Sequence, residues 1–269
     1  MHLDTKGLVL RALDAAENDR VLSILTPEFG VLSAFANGAK RLRSSQLAAA
    51  QVLCYGEFSL YRRRDTYTVD DARAISVFFG LRDDISALAL AQYFCELAAV
   101  LAPAETEAGE FLALVIFALT CLEKQRRPQE ILKPSVELRM LSLAGYAPDL
   151  ARCRVCNGDE LYGDYVRLHP LDGNFSCSDC SGLHTPKSVQ AEHSAPGNEI
   201  HSSGGETIGL GVLAAMRHIY GCPLNRLFSF MLSAPSLAVL GNICEEYLRL
   251  HVPRRWDTLE FYRQVAEAN

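Results

Sequence analysis

The stretch "QVLCYGEFSLY", residues 51 to 61, decides the fold. Val52, Cys54, Phe58 and Leu60 fall on one face of an extended chain, while Tyr55, Glu57, Ser59 and Tyr61 fall on the other. This is the period-2 alternation of a strand with one side packed inward. Four more runs of this kind occupy the first 80 residues: "GLVLRAL" (7–13), "RVLSILT" (20–26), "GVLSAFA" (30–36) and "TYTVDDARAI" (66–75). The turn signals "AEND", "PEFG" and "NG" separate them. Five strands at this spacing predict a small sandwich or a small closed barrel, and closure would remove exposed edges.

After Gly80 the period changes to that of helices, so the fold class is α+β. "DDISALALAQYFCELAAVLA" carries Asp83 or Asp84 as N-cap and ends before Pro103. "ETEAGEFLALVIFALTCLEK" follows, and then "PQEILKPSVELRMLSLAGY", with Pro128 at its start, Gly145 as terminator and Pro134 expected to kink or split it. Residues 187–204 read as a flexible polar loop. Helices are expected again in "TIGLGVLAAMRHIY", "LNRLFSFMLS" and "SLAVLGNICEEYLRLHV". The expected domains are a barrel over 1–80, a helical domain over 81–150 and 205–269, and an insert over 151–186.

The insert contains one phrase written twice, "CRVCNG" (153–158) and "CSDCSG" (177–182). Two Cys-x-x-Cys pairs place four thiolates, Cys153, Cys156, Cys177 and Cys180, at the corners of a tetrahedron around one Zn²⁺. Unrelated buried cysteines, an iron–sulfur cluster or a redox pair are the competing readings. The intervening "LYGDYVRLHPLDGNFS" predicts two short strands joined by a "DGN" turn. Gly158 and Gly182 are expected to take φ > 0 so that amides point at sulfur. A four-thiolate site has no open position for an activated water, and no His-Glu-x-x-His accompanies it, so a structural role is expected. His169 and His184 beside the cysteines read as surface residues.

The net charge of −6 gives no overall attraction to nucleic acid, but the charge is uneven. Between Asn37 and Arg64 stand Lys40, Arg41, Arg43, Arg62, Arg63 and Arg64 against the single acid Glu57. This window carries +5, which leaves −11 on the remainder. Phe35, Tyr55, Tyr61 and Tyr67 interleave with it. Cations that track phosphates, with rings on which bases stack, make a single-strand surface. A solvated loop with half-buried core tyrosines is the competing reading. No G-x-x-x-x-G-K-[ST] or G-x-S-x-G is present, which excludes those routes to catalysis. The longest apolar run, Phe111 to Leu122, is short of the roughly 20 residues a membrane helix needs. Nine cysteines and no export signal at "MHLDTKGLVL" point to reducing cytoplasm.

On "KGLVLRALDAAENDRVLSILTPEFGVLSAFANGAKRLRSS" and "VELRMLSLAGYAPDLARCRVCNG" the chain resembles RecO, the bacterial recombination mediators of DNA repair. It departs from the family in a longer loop over 188–206, and in Asp257 and Thr258 where a basic residue and a Ser are expected. The resemblance implies an N-terminal OB fold, a helical domain and an inserted zinc ribbon. It also implies a protein that is not an enzyme and acts at the nucleoid. Such a protein binds single- and double-stranded DNA, anneals complementary strands, engages the acidic C-terminal tail of single-strand-binding protein (SSB), and works with RecR to load RecA. Lys40, Arg41, Arg43 and Arg62 to Arg64 are the expected phosphate contacts, with Tyr55, Tyr61 and Phe35 for stacking. Lys133, Arg139, Arg226 and Arg249 are the candidate cations for the tail. Two rival readings stand beside this: a zinc-ribbon adaptor for proteins, as in transcription, and a metal-dependent enzyme acting on nucleic acid.

Overall fold

A computed structural model describes residues 1–41, 44, 46–64, 66–159, 163–183 and 205–267. These pack as two compact units, one of residues 1–145 with 254–269 and one of residues 146–253.

In the first unit, five strands close into a barrel: β1 (His2–Asp14), β2 (Arg20–Thr26), β3 (Gly30–Ala36), β4 (Tyr55–Arg63) and β5 (Thr66–Ser76). Their order is β1-β2-β3-β5-β4, with β4 pairing back onto β1. All pairs are antiparallel except β3 with β5. The alternation read from residues 51–61 is realised in β4, where Phe58 and Leu60 enter a core shared with Leu22, Ile24, Leu32 and Val69. Followed around the barrel through paired residues, the register leaves β1 at Leu13 and returns to it at His2. That stagger is what tilted strands need in order to close, and it settles the choice between sandwich and barrel. Gly30 sits at φ +61°, where an added Cβ would lie 2.1 Å from the Pro103 carbonyl oxygen. Only glycine lets the chain turn there while the Val31 N–H donates to that oxygen at 2.9 Å.

Helices α1 (Ile85–Leu101), α2 (Gly109–Glu123) and α3 (Gln129–Leu143) follow. Asp84 is the N-cap of α1, its Oδ1 accepting from Ser86 N at 2.9 Å and Ala87 N at 3.0 Å. Gly145, at φ +91°, ends α3 as expected. Pro134 does not split α3, which is one continuous helix. A C-terminal helix (Asp257–Glu267, α7 below) packs on α1, where Trp256 meets Tyr93 edge-on at 6.2 Å.

The second unit holds a three-stranded sheet, β6 (Tyr165–His169), β7 (Asn174–Ser176) and β8 (Glu206–Gly209), in the order β7-β6-β8. It also holds a single turn, α4 (Ser178–Ser181), and the helices α5 (Leu210–Gly221) and α6 (Ala234–His251). Two expectations are corrected here. Residues 206–209 extend the sheet instead of opening a helix, and 224–233 form only a 3₁₀ turn over Leu224–Arg226 before continuing without helix. The expected flexible loop, 187–204, lies outside the described residues.

Candidate nucleic-acid interface and metal centre

Residues directly opposite one another in a sheet share a face. Leu13 pairs with Val21, Val21 with Phe35, Phe35 with Thr68, and Thr68 with Tyr61. These side chains form one outward row across all five strands, about 19 Å long at the usual strand spacing. Leu13, Phe35 and Tyr61 are 48%, 44% and 42% exposed, so the row offers apolar surface to a ligand. Sequence reading named Phe35 and Tyr61 but missed Leu13, Val21 and Thr68, because the row exists only through closure.

The basic residues flank this row. Beside Tyr61, the β4–β5 hairpin carries Arg63 and Arg64, both exposed. They line a cleft of about 650 Å³ with His2, Tyr61, Thr66, Thr68 and Asp70. The His2 and Tyr61 rings stand 5.0 Å apart. Past Phe35, the turn after β3 presents Arg41, exposed and without a carboxylate partner among the described residues. Lys40 is less free: its Nζ lies 2.9 Å from Asp14 Oδ2, and Arg20 Nε lies 3.3 Å from Asp14 Oδ1. Both cations hold the Asp14 carboxyl below its ordinary range, Lys40 by hydrogen bond being the larger cause. Arg62 is also committed, its guanidinium 5.3 Å over the Tyr67 ring and its Nε donating to the Arg64 carbonyl at 3.1 Å. Arg43 lies outside the described residues.

Tyr55 stands apart from these groups. It pairs with Leu8 at the other end of β4 and opens on a separate cleft of about 730 Å³. The charges lining that cleft are Asp4, Glu28, Glu57 and Asp71 against Lys6 and Arg73. Glu57 is drawn below the usual carboxylate range by Arg73, which donates to it at 2.7 Å. The structure therefore does not bring Tyr55 together with the basic residues.

In the second unit, Cys153, Cys156, Cys177 and Cys180 converge, their sulfurs all within 4.8 Å of one another. Cys156 Sγ and Cys177 Sγ are 3.9 Å apart, close to the edge of about 3.8 Å that four sulfurs at 2.3 Å from one ion would define. Backbone N–H groups of Val155 and Cys177 donate to Cys153 Sγ at 3.4 and 3.3 Å. Burial works to raise the Cys153 thiol, but these amides and that of Cys156 outweigh it and bring it down to about 6. Cys180 is pushed up to about 12, chiefly by its hydrogen bond with Cys177. Four thiolates this close repel, and a cation is what would hold them together. Gly182 has φ +67° as expected, whereas at the first pair the positive φ falls on Asn157 (+58°), and Gly158 instead accepts from Cys153 N at 2.9 Å. His169 is corrected too. It is buried, 3.0 Å from Ser176 Oγ, and burial holds its imidazole below the ordinary value. His184 lies outside the described residues.

Fold and site together define an oligonucleotide-type (OB) barrel protein with helices and a four-cysteine cluster of metal-ligand spacing. Two family models match the chain, "Recombination protein O N terminal" over residues 1–78 and "Recombination protein O C terminal" over residues 82–260. Its relatives include the DNA repair protein RecO of Acetivibrio thermocellus, 29% identical over 98% of this chain and 97% of that one. That of Dehalococcoides mccartyi strain 195 is 30% identical over 70% of this chain and 74% of its own. That of Symbiobacterium thermophilum is 26% identical over 97% of each. The chain belongs to the RecO family of DNA repair and recombination proteins. Among the described residues, no helix is long and apolar enough to cross a membrane.

Proposed function

We propose that this chain is a DNA-binding recombination mediator, without catalysis of its own, that anneals complementary single strands. Together with RecR it helps to load the recombinase onto strands coated with SSB, in the cytoplasm at the nucleoid. The observation that carries this reading is the outward row Leu13–Val21–Phe35–Thr68–Tyr61, with Arg41 at one flank and Arg63 and Arg64 at the other. Two DNA strands repel through their phosphates. Arginines that take up phosphate charge lower that barrier, and rings that hold bases by their faces leave the pairing edges free. Single strands bind along the row, and double-stranded DNA, whose bases are stacked away, is held by the cations alone.

The four cysteines suit Zn²⁺, which supplies folding free energy to a ribbon with little core of its own and leaves no open ligand for chemistry. Among the four candidates for the acidic tail of SSB, Arg226 is the exposed cation without a carboxylate partner among the described residues, and Arg139 is half-buried on α3. Lys133 is excluded because it is buried, 2.8 Å from Glu137, and Arg249 is held by both oxygens of Glu246.

The test is annealing of complementary oligonucleotides coated with SSB, without ATP, by the unaltered chain and by an Arg41→Glu/Arg63→Glu variant. Annealing by the unaltered chain and its loss in the variant are expected. No annealing by either, with no salt-dependent shift of an oligonucleotide, would leave the zinc-ribbon adaptor as the reading.

A further inference from the structure

Near the Leu13 end of the row, the barrel surface opens into a third cleft, of about 360 Å³, between the barrel and α1. Its wall includes Ala12 and Arg20, the chain neighbours of Leu13 and Val21, whose side chains alternate to the other face of β1 and β2, so the cleft lies around the strand edge from the end of the row. Its floor is apolar, made by Val52, Leu53, Val77 and Leu88. Its polar groups are two guanidiniums and two amides, Arg20, Arg82, Gln51 and Gln92, and no carboxylate lines it.

These groups are held in position. Arg20 donates through Nη1 to the Ala50 carbonyl at 3.0 Å and through Nε to Asp14, which fixes the plane of its guanidinium and leaves Nη2 with no partner among the described residues. Arg82 donates through Nη2 to Gln51 Oε1 at 3.0 Å, and its guanidinium lies 5.2 Å over the Phe79 ring. Gln51 is itself anchored, its Nε2 donating to the Leu47 carbonyl at 3.3 Å. Arg82 is exposed and has no carboxylate partner among the described residues. Arg82, free of acids among the described residues, and Arg20, whose charge is shared with Asp14 but whose Nη2 is open, stand on a small apolar cleft and form an oxyanion site with room for a flat apolar group behind it.

We propose that this cleft takes one nucleotide of the bound single strand, beyond those on the barrel row. A phosphodiester oxygen pair sits between Arg20 and Arg82, and the base lies against the apolar floor. The proposal rests on the single-strand reading of the row and deepens it, because it gives the strand a direction across the barrel and an end on the first helix. Gln92, with no hydrogen-bond partner among the described residues, stands where it can meet an edge of that base.

The test uses Arg82→Gln in the full chain and fluorescence anisotropy with thymidine oligomers of about 4 and about 16 nucleotides, which bracket the site sizes of such barrels. Arg82 has no ion pair to lose, so folding is preserved, and circular dichroism checks it. The longer oligomer is expected to bind about 10- to 100-fold more weakly, the loss of a charged hydrogen bond. The slope of its affinity with salt is expected to fall by about 0.7. The shorter oligomer, satisfied by the row, is expected to bind unchanged. A second variant, Leu88→Phe, fills the cleft without touching charge and should weaken the longer oligomer with its salt slope intact. Equal loss on both lengths, or none on either, overturns the cleft while leaving the row in place. No binding of either oligomer by the unaltered chain overturns both readings. Thymidine monophosphate, tried alone, separates a strand site from a site for free nucleotide. If Arg82→Gln abolishes its binding while sparing the longer oligomer, the strand assignment is wrong.

Discussion

Asp14 decides how much of the basic window is free. Lys40 and Arg20 both donate to its carboxylate, so two cations near the row are partly spent within the protein. Removing that acid returns them: Asp14→Asn should bind single strands more tightly, with a salt slope steeper by about 0.7 for each cation that gains a phosphate. Asp14 is exposed and its pKa is lowered, so the ion pairs are intact above the ordinary value of 3.8 and are lost only as pH falls through the lower one. The ratio of variant to unaltered affinity should therefore stay flat from about pH 5 to 8, and anisotropy titrations across that range check it. The aromatic residues divide as sharply. Phe35→Ala and Tyr61→Ala should each cost about 1–3 kcal/mol in single-strand binding, the worth of a stacked base. Tyr55→Ala should cost nothing measurable, because Tyr55 faces the carboxylate-lined cleft. A loss at Tyr55 equal to that at Tyr61 would place the strand on the wrong side of the barrel.

Helix α3 shows where an element escapes its sequence. "QEILKPSVELRM" reads as a helix with a solvated charged face, yet Ile131 through Leu138 are all buried, Lys133 and Glu137 included. The helix packs against α1 and α2. Lys133 Nζ bridges to Glu137 Oε1 at 2.8 Å, and the Tyr93 hydroxyl from α1 donates to the same oxygen at 2.7 Å. An i,i+4 Lys–Glu pair looks the same in sequence on a surface and in a core, so only the packing around it tells which is present. Breaking the pair should be severe. Glu137→Ala takes a buried carboxylate from both Lys133 and the Tyr93 hydroxyl and should lower stability by about 3–5 kcal/mol, whereas Lys133→Met with Glu137→Leu should cost far less. Urea denaturation of the three chains distinguishes these outcomes. The last helix was equally hidden. Nothing in "PRRWDTLEF" announces that Arg254, Thr258 and Trp256 fasten it to α1, through the Glu96 carboxylate, which accepts from Arg254 at 3.0 Å and from both the Thr258 amide and hydroxyl, and through the Tyr93 ring.

At the scale of the molecule, what was legible was local. The five barrel strands follow from a period of two, and the first three helices from caps and terminators within a few residues of their ends. The four cysteines follow from a spacing set by the bite of one ion. What needed the fold was anything joined across the chain: the stagger that lines up Leu13, Phe35 and Tyr61, the sorting of free from paired cations, and the return of β8 to β6 from across residues 184–204. The two units also divide the roles. The row and its cations lie in residues 1–145, and the cysteines lie in 146–253. A metal that only holds the ribbon in shape should therefore be removable without touching the barrel. Chelation of the full chain, or Cys153→Ser with Cys180→Ser, should speed amide hydrogen exchange in 163–183 and 206–209, where the sheet has only three strands beside the cysteines. Exchange in β1 to β5 should be unchanged, and so should the affinity for a short oligothymidine. If chelation instead weakens that affinity as much as charge reversal at Arg41 and Arg63 does, the ion belongs to the nucleic-acid site and its role is not structural alone.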